Sequence, residues 1–149
     1  MNKKAAMMHI ATIKKGDGWI KVWEGTKSVS VSSTNTSETF VTNLPSGITA
    51  VRVSGSYVRP SSPGGVYYTP NGVSTAMPAT PFTDLEIPIT SYGNFLIVNK
   101  YKAVGSSTGR FGYFGFNTSG TEIYKAQTGS DTNSYSGSIT LTKIEVKVG

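Results

Sequence analysis

The chain has no cysteine and a single histidine, His9. Without cysteine, disulfide bonds, thiolate nucleophiles and cysteine-ligated metal sites are excluded. A serine–histidine–aspartate triad would have to use His9, which lies in a leading segment that we expect to be peripheral. Nucleophilic catalysis of either kind is therefore not predicted.

Carboxylates are also scarce, with 8 acidic residues against 14 lysines and arginines. The one close acidic pair is Asp84 and Glu86, whose spacing on a strand places both on one face, as a glycosidase pair requires. Their alternation with apolar residues is more typical of the solvent-facing side of an edge strand. Asp131 and Asn133 supply only two of the about six to eight oxygen ligands that calcium needs. We predict a non-enzymatic protein with no metal and no cofactor.

Long apolar runs are missing as well. No stretch approaches the roughly 20 apolar residues of a membrane-spanning helix, so we predict no membrane span. Serine, threonine, 17 glycines and 7 prolines dominate instead, which is strand and turn chemistry. Short apolar runs recur about every ten residues, predicting nine to ten strands. The fold expected for these 149 residues is one all-β domain, an antiparallel β-sandwich or jelly roll.

The strongest strand signal is the apolar run 95–98, which is followed by a glycine- and serine-rich turn at 105–109. Residues 110–116 then return with rings separated by glycines, which predicts a central hairpin. We expect its rings to fill the middle of the sandwich. These rings are Phe95, Phe111, Tyr113, Phe114 and Phe116.

Other strands carry specific expectations. Residues 84–89 end near Pro88, which cannot donate to a ladder, so this strand should lie at a sheet edge. Residues 138–148 change phase in mid-strand, which predicts a β-bulge near Thr142 and Lys143. Residues 19–24 and 28–33 are predicted as separate strands, with Trp19 and Trp23 on one face of the first.

The longest irregular stretch, 59–81, holds five prolines and an Asn-Gly turn, so we expect a loop without a central strand through most of it. Long loops in compact domains are often binding loops, and a second polar loop is expected at 129–137. The alternative is that the rings in the first loop merely pin it to the body. The candidate recognition residues are Arg59, Tyr67, Tyr68, Asn71, Asp131 and Tyr135.

Positive charge is concentrated at the start of the chain. Residues 1–27 hold six lysines against two acidic residues, so this segment carries +4 of the net +6. We interpret 1–15 as a docking arm or first strand and 16–149 as the sandwich domain, with a hairpin turn at 16–18. A solvated end that aids solubility is the alternative. The candidate docking residues are Lys3, Lys4, Lys14 and Lys15.

One cluster of basic and aromatic residues bears on nucleic-acid binding. Three basic residues, Lys100, Lys102 and Arg110, lie near rings in the predicted central hairpin, as in sheets that bind single strands. Because the body beyond residue 27 carries only +2, nucleic acid is not the expected partner.

Three segments resemble small β-sandwich modules of tailed-bacteriophage tail and fibre proteins. The run Ile-Lys-Val-Trp-Glu-Gly at 20–25 is similar to their opening strand, 139–144 to their closing strand, and 94–98 to their central apolar strand. The resemblance implies a non-catalytic virion component, commonly trimeric, that completes a tail or contacts the host surface. No fibrous stalk is visible, which favours a small accessory protein seated on the particle by its basic arm.

The function expected from the sequence is therefore that of a structural protein of a tailed-phage virion, assembled in the bacterial cytoplasm. Its expected partners are other virion proteins, further copies of itself with a trimer favoured, and a cell-surface glycan. A capsid decoration protein that grips the shell and a carbohydrate-binding module remain as alternatives.

Overall fold

Ten strands form within the part of the chain that the computed structural model describes, residues 18–31, 35–60, 64–93, 95–102, 109–129 and 137–149. The predicted arm with its four lysines, and the candidates Asp131 and Tyr135, lie outside these residues. The strands are β1 (Trp19–Ser30), β2 (Thr36–Val41), β3 (Ile48–Val58), β4 (Gly65–Tyr68), β5 (Thr75–Ala76), β6 (Phe82–Pro88), β7 (Phe95–Lys102), β8 (Gly109–Phe116), β9 (Ile123–Gly129) and β10 (Ser138–Val148).

The strands build two antiparallel sheets that pack face to face, which confirms the all-β sandwich. The four-stranded sheet has the order β1-β10-β3-β6, and the six-stranded sheet has the order β2-β9-β8-β7-β4-β5. The β7–β8 hairpin lies at the centre of its sheet, and β6, with Pro88, lies at an edge, as predicted. The described residues include no helix long and apolar enough to cross a membrane.

The core lies between the sheets and is built from side chains that alternate along each strand except at the bulges. Val51 and Ile144 from the four-stranded sheet and Ile97 and Phe114 from the six-stranded sheet have no exposed surface. The sheets approach closely at Gly112, where an added Cβ would lie 2.6 Å from the carbonyl oxygen of Ser30. A side chain at this position would force the two layers apart.

The predicted bulge in β10 is confirmed. Its register against β3 shifts between Leu141 and Lys143, which leaves one residue unpaired. As a result Leu141 and Ile144, three positions apart, both point into the core and are fully buried. A regular strand would have placed them on opposite faces.

The predicted pairing of the two tryptophans on one face is wrong. β1 runs unbroken from Trp19 to Ser30, and its register against β10 shifts between Lys21 and Trp23. The shift turns Trp23 inward against the core, where its ring centroid lies 5.1 Å from that of Phe40. Trp19 stays on the outer face, with the Arg52 guanidinium 4.6 Å from its ring centroid.

The central hairpin divides its rings between two faces, contrary to the prediction that all of them fill the core. Phe114 and Phe116 are buried in the core cluster, whereas Phe111 and Tyr113 have the opposite phase and lie outside it. Alternation dictates this result, because 111 and 113 cannot share a face with 114 and 116 in a regular strand.

The expected loop at 59–81 also contains strand structure. β4 fits between Pro63 and Pro70 and pairs with both β5 and β7, so it is an internal strand of the six-stranded sheet. The prolines limit its length to four residues without preventing it, because none of them falls inside the ladder.

Candidate functional site: an aromatic outer sheet face

The outer face of the six-stranded sheet carries rings where such faces usually carry serine and threonine. Opposite the core-facing phase, four adjacent strands β4, β7, β8 and β9 present residues at three successive levels. The five aromatic residues of this face are called here the aromatic platform: Tyr67, Phe95, Phe111, Tyr113 and Tyr124. All five are partly exposed.

Three of the five platform rings, those of Phe95, Tyr113 and Tyr124, contact one another. The centroids of Phe95 and Tyr113 lie 4.3 Å apart, and the ring of Tyr124 meets that of Tyr113 nearly edge-on at 5.8 Å. Beneath them, Val98 is only 1 % exposed although it belongs to no part of the central core. The rings therefore form a second, outer apolar layer that shields Val98 while leaving their own surfaces open to solvent.

Tyr67 lies flat along the sheet at one end of the platform. A Cβ added to Gly65 would lie 2.8 Å from the Tyr67 hydroxyl oxygen and 3.1 Å from its ring carbons, so the ring lies across the glycine. The ammonium of Lys100 lies 5.6 Å from the ring centroid. Among the outer-face side chains that the structure describes on this sheet, Lys100 is the one that carries a charge.

The hydroxyl at the centre of the platform is held in its neutral form. Burial, followed by a hydrogen bond with Tyr124, raises the pKa of Tyr113 to about 12. Tyr113 is therefore an uncharged hydrogen-bonding group across the physiological range.

The predicted recognition residues do not gather at one place. Tyr67 belongs to the platform, but its neighbour Tyr68 has the opposite phase and packs against the core. Arg59 is exposed just beyond the end of β3, and Asn71 is exposed in a short 3₁₀ turn, Pro70–Gly72, with a left-handed φ of 53°. For Tyr68, the interpretation that the ring pins its segment to the body is the one the structure supports.

Sequence reasoning missed most of the platform, because it assigned the rings of the central hairpin to the core. The alternation of 111 and 113 against 114 and 116 was the signal that could have found it. Tyr124 follows the same logic, since it is paired with Gly115 on the outer phase of β8.

The opposite outer face, on the four-stranded sheet, is charged. The guanidinium of Arg52 lies 2.8 Å from a Glu145 oxygen, and the Lys143 ammonium lies 3.0 Å from Asp84 and 3.5 Å from Glu145. Asp84 also receives a hydrogen bond from the Ser54 hydroxyl at 3.4 Å. These groups form one network across β3, β6 and β10.

The ion pair of Asp84 with Lys143 in this network does not suit proton transfer. A hydrogen bond from Lys143 is the main cause that lowers the pKa of Asp84, and the same bond raises the pKa of Lys143. Both shifts move away from neutrality, so neither group is poised as an acid or base near pH 7. Of the predicted acidic pair, Asp84 is thus bound to Lys143, and Glu86 lies opposite Arg52 in the β3–β6 ladder.

A polar cavity of about 280 Å³ lies beside β1, β2 and β9 and is lined in part by Glu38, Lys125 and Gln127. Glu38 pairs with Lys27 at 2.6 Å, the contact that chiefly lowers its pKa, and with Lys125 at 3.7 Å. Within the described residues no group of three histidine or acidic side chains is placed to hold a metal ion. The aromatic platform is thus the surface best suited to recognition.

Comparison of the chain with protein-family models, curated proteins and solved structures gives no match.

Proposed function

We infer that this chain is a non-catalytic structural protein of a tailed-bacteriophage virion, which acts through the surfaces of its sandwich. The aromatic platform carries this proposal: partly exposed, mutually packed rings on a sheet face are the chemistry of a contact surface. The assignment to a phage particle rests on the resemblance at 20–25, 94–98 and 139–144.

The three segments that carry the resemblance lie in strands of the sandwich. Residues 20–25 lie in β1 and residues 139–144 in β10, and the two strands pair with each other. Residues 95–98 lie in β7, a central strand of the other sheet. The opening strand β1 and the closing strand β10 are thus neighbours in the four-stranded sheet, and the apolar strand β7 is internal to the six-stranded sheet.

Particle association tests this role. The expected result is that the full chain sediments with purified phage particles and is found there by mass spectrometry, in either the tail or the capsid fraction after disruption. A variant with Lys3, Lys4, Lys14 and Lys15 changed to glutamine should remain folded by circular dichroism and fail to join particles. Absence of the wild-type chain from particles would contradict the proposal.

Self-association is part of the proposed role, with a trimer favoured. Light scattering on the purified full chain should give about three times the 15.8 kDa of one chain. A monomer in solution would restrict assembly to the particle itself.

A further inference from the structure

We propose that the aromatic platform binds a neutral oligosaccharide. The inference extends the proposed function by naming a ligand class, and it relies on that function only for where the glycan would be met. The platform residues, their geometry and their charge carry the argument.

The dimensions of the platform match a short chain-like ligand. Four adjacent strands span about 14 Å at the usual strand spacing, and two steps along the strands add a similar length. With the rings included, the surface is roughly 20 Å on each side, on the order of 400 Å². A stable protein interface needs about 800 Å² from each partner, so the platform alone is too small to hold a second copy.

The strands that border the platform carry small or polar residues on its outer phase in the described part of the chain. On the same outer phase, β2 contributes Ser37 and Thr39, and β5 contributes Ala76. Small and polar residues around an aromatic centre confine the apolar contact to the rings themselves. This pattern favours a ligand that lies on the platform over a partner that covers the whole sheet.

The charge of the platform argues against nucleic acid. Binding to phosphates needs several cations, and Lys100 is the charged side chain described on this face. Arg110, which the sequence placed among the rings, is fully buried on the inner phase of β8. No carboxylate is found among the described outer-face side chains of this sheet, so a cationic ligand is not favoured either. The described side chains of this face thus carry one positive charge and no negative charge, which favours an uncharged ligand over a polyanion or a cation.

The chemistry of the rings fits a sugar. A pyranose has an apolar C–H face and a rim of hydroxyl groups, and tyrosine offers a ring and a hydroxyl in the same side chain. Tyr67 lies across Gly65 and is partly exposed, with the Lys100 ammonium 5.6 Å from its ring centroid. The hydroxyls of Tyr113 and Tyr124 and the ammonium of Lys100 lie within the same surface and can bond the rim.

The platform is also arranged before any ligand arrives. Tyr113 is held between Phe95 and Tyr124, and Val98 supports the rings from below. Fewer side-chain rotamers are therefore lost on binding, which favours affinity.

The test uses the full chain on an array of neutral oligosaccharides built from hexoses and N-acetylhexosamines, followed by calorimetric titration of the best ligand. The double variant Tyr67→Ala/Tyr113→Ala should weaken binding at least about tenfold, since each ring contact contributes on the order of a kilocalorie per mole. The double variant Tyr67→Phe/Tyr113→Phe should keep most of the affinity, because the rings remain. A matched double change on the opposite outer face, Lys21→Ala/Glu24→Ala, should change nothing.

A second measurement guards against loss of folding in the alanine variant. In the wild-type chain, amide chemical shifts on titration with the best ligand should change in β4, β7, β8 and β9 and not in β3, β6 or β10. The proposal is overturned by the absence of binding to every neutral glycan, by affinity that survives the alanine changes, or by shift changes confined elsewhere. It is also overturned if the same alanine changes abolish self-association, because the occupant is then a second copy.

Failure of this test leaves the particle assay unaffected, since sedimentation with virions does not require a glycan. Conversely, if the chain binds a glycan but never joins particles, the proposed glycan site stands and the proposed virion function is contradicted. The two proposals can therefore fail separately.

Discussion

The two outer faces of the sandwich differ in how they meet solvent. On the four-stranded sheet, Arg52, Asp84, Lys143 and Glu145 satisfy one another in a network of ion pairs. On the six-stranded sheet, rings pack side by side and leave apolar surface open. A sheet with paired charges is already satisfied in water, whereas exposed rings gain free energy when a partner covers them. The charged face of the four-stranded sheet therefore supports the fold, and the aromatic face of the six-stranded sheet is available for contact.

The largest loss of folding stability should follow truncation of a core-facing ring of β8. Phe114 faces the core, whereas its neighbour Tyr113 faces outward. Phe114→Ala removes a fully buried ring and should lower the free energy of unfolding by about 3–5 kcal/mol. Tyr113→Ala removes a partly exposed ring from the outer layer and should cost about 1–2 kcal/mol. Urea denaturation measures both. Equal costs for the two neighbours would mean that the outer rings belong to the core.

A smaller loss is expected where the two sheets touch. Gly112→Ala places a Cβ 2.6 Å from the Ser30 carbonyl oxygen, a backbone atom that can move only with its strand. The expected cost is about 1–3 kcal/mol by thermal or chemical unfolding. Gly93→Ala is the matched control, since nothing lies within 4 Å of its added Cβ, and it should change stability by less than about 0.5 kcal/mol.

The outer rings should also show in the response to high pH. Tyr113 has a pKa of about 12 in the folded chain against 10.0 for an ordinary tyrosine. Between these values the unfolded chain releases the proton first, so the stability present below pH 10 falls as the pH rises towards 12. Unfolding midpoints across this range, with tyrosinate absorbance, measure the loss. Tyr113→Phe should flatten the decline, and an unchanged decline would contradict the assignment.

The charged face should give the smallest effect. Asp84→Asn weakens the pairing with Lys143 and should cost up to about 1 kcal/mol, because both side chains are partly exposed. The pKa of Asp84 is lowered in the folded chain, so its contribution is present above the ordinary aspartate value of 3.8 and is lost as the pH falls through the folded value.

Unfolding curves from pH 7 to pH 2 check this prediction for the charged face. Lys21→Gln, which breaks an isolated exposed pair with Glu24, serves as the control and should have almost no effect. If Asp84→Asn changed the free energy of unfolding as little as the control, the network would not contribute to stability.

Sequence reasoning succeeded where a local rule has one outcome. Pro88 cannot donate to a ladder, and so β6 is an edge strand. The phase change between Leu141 and Ile144 requires an extra residue, and so β10 has its bulge. In both cases the physical constraint lies within a few residues and does not depend on the partner strand.

It failed where the result depends on register with a distant strand. The bulge that separates Trp19 from Trp23 exists only in the pairing of β1 with β10, more than 100 residues away in sequence. Tyr67 and Tyr68 are predicted as one recognition patch because no strand is expected inside a proline-rich segment. In the structure they are neighbours in β4 and therefore lie on opposite faces of the sheet. The platform is missed because aromatic rings are generally expected in the core. The alternation of side chains along residues 111–116 places Phe111 and Tyr113 on the outer face instead.

The position of β10 between β1 and β3 has a consequence for synthesis. Ile20 is synthesised more than 100 residues before its ladder partner Val146. Until then, β1 and β3 have no central strand to join them, and their apolar sides stay open to other chains. Productive folding of this sheet is therefore a late event, and conditions that slow translation or crowd nascent chains should lower the yield of native protein before they alter its final stability.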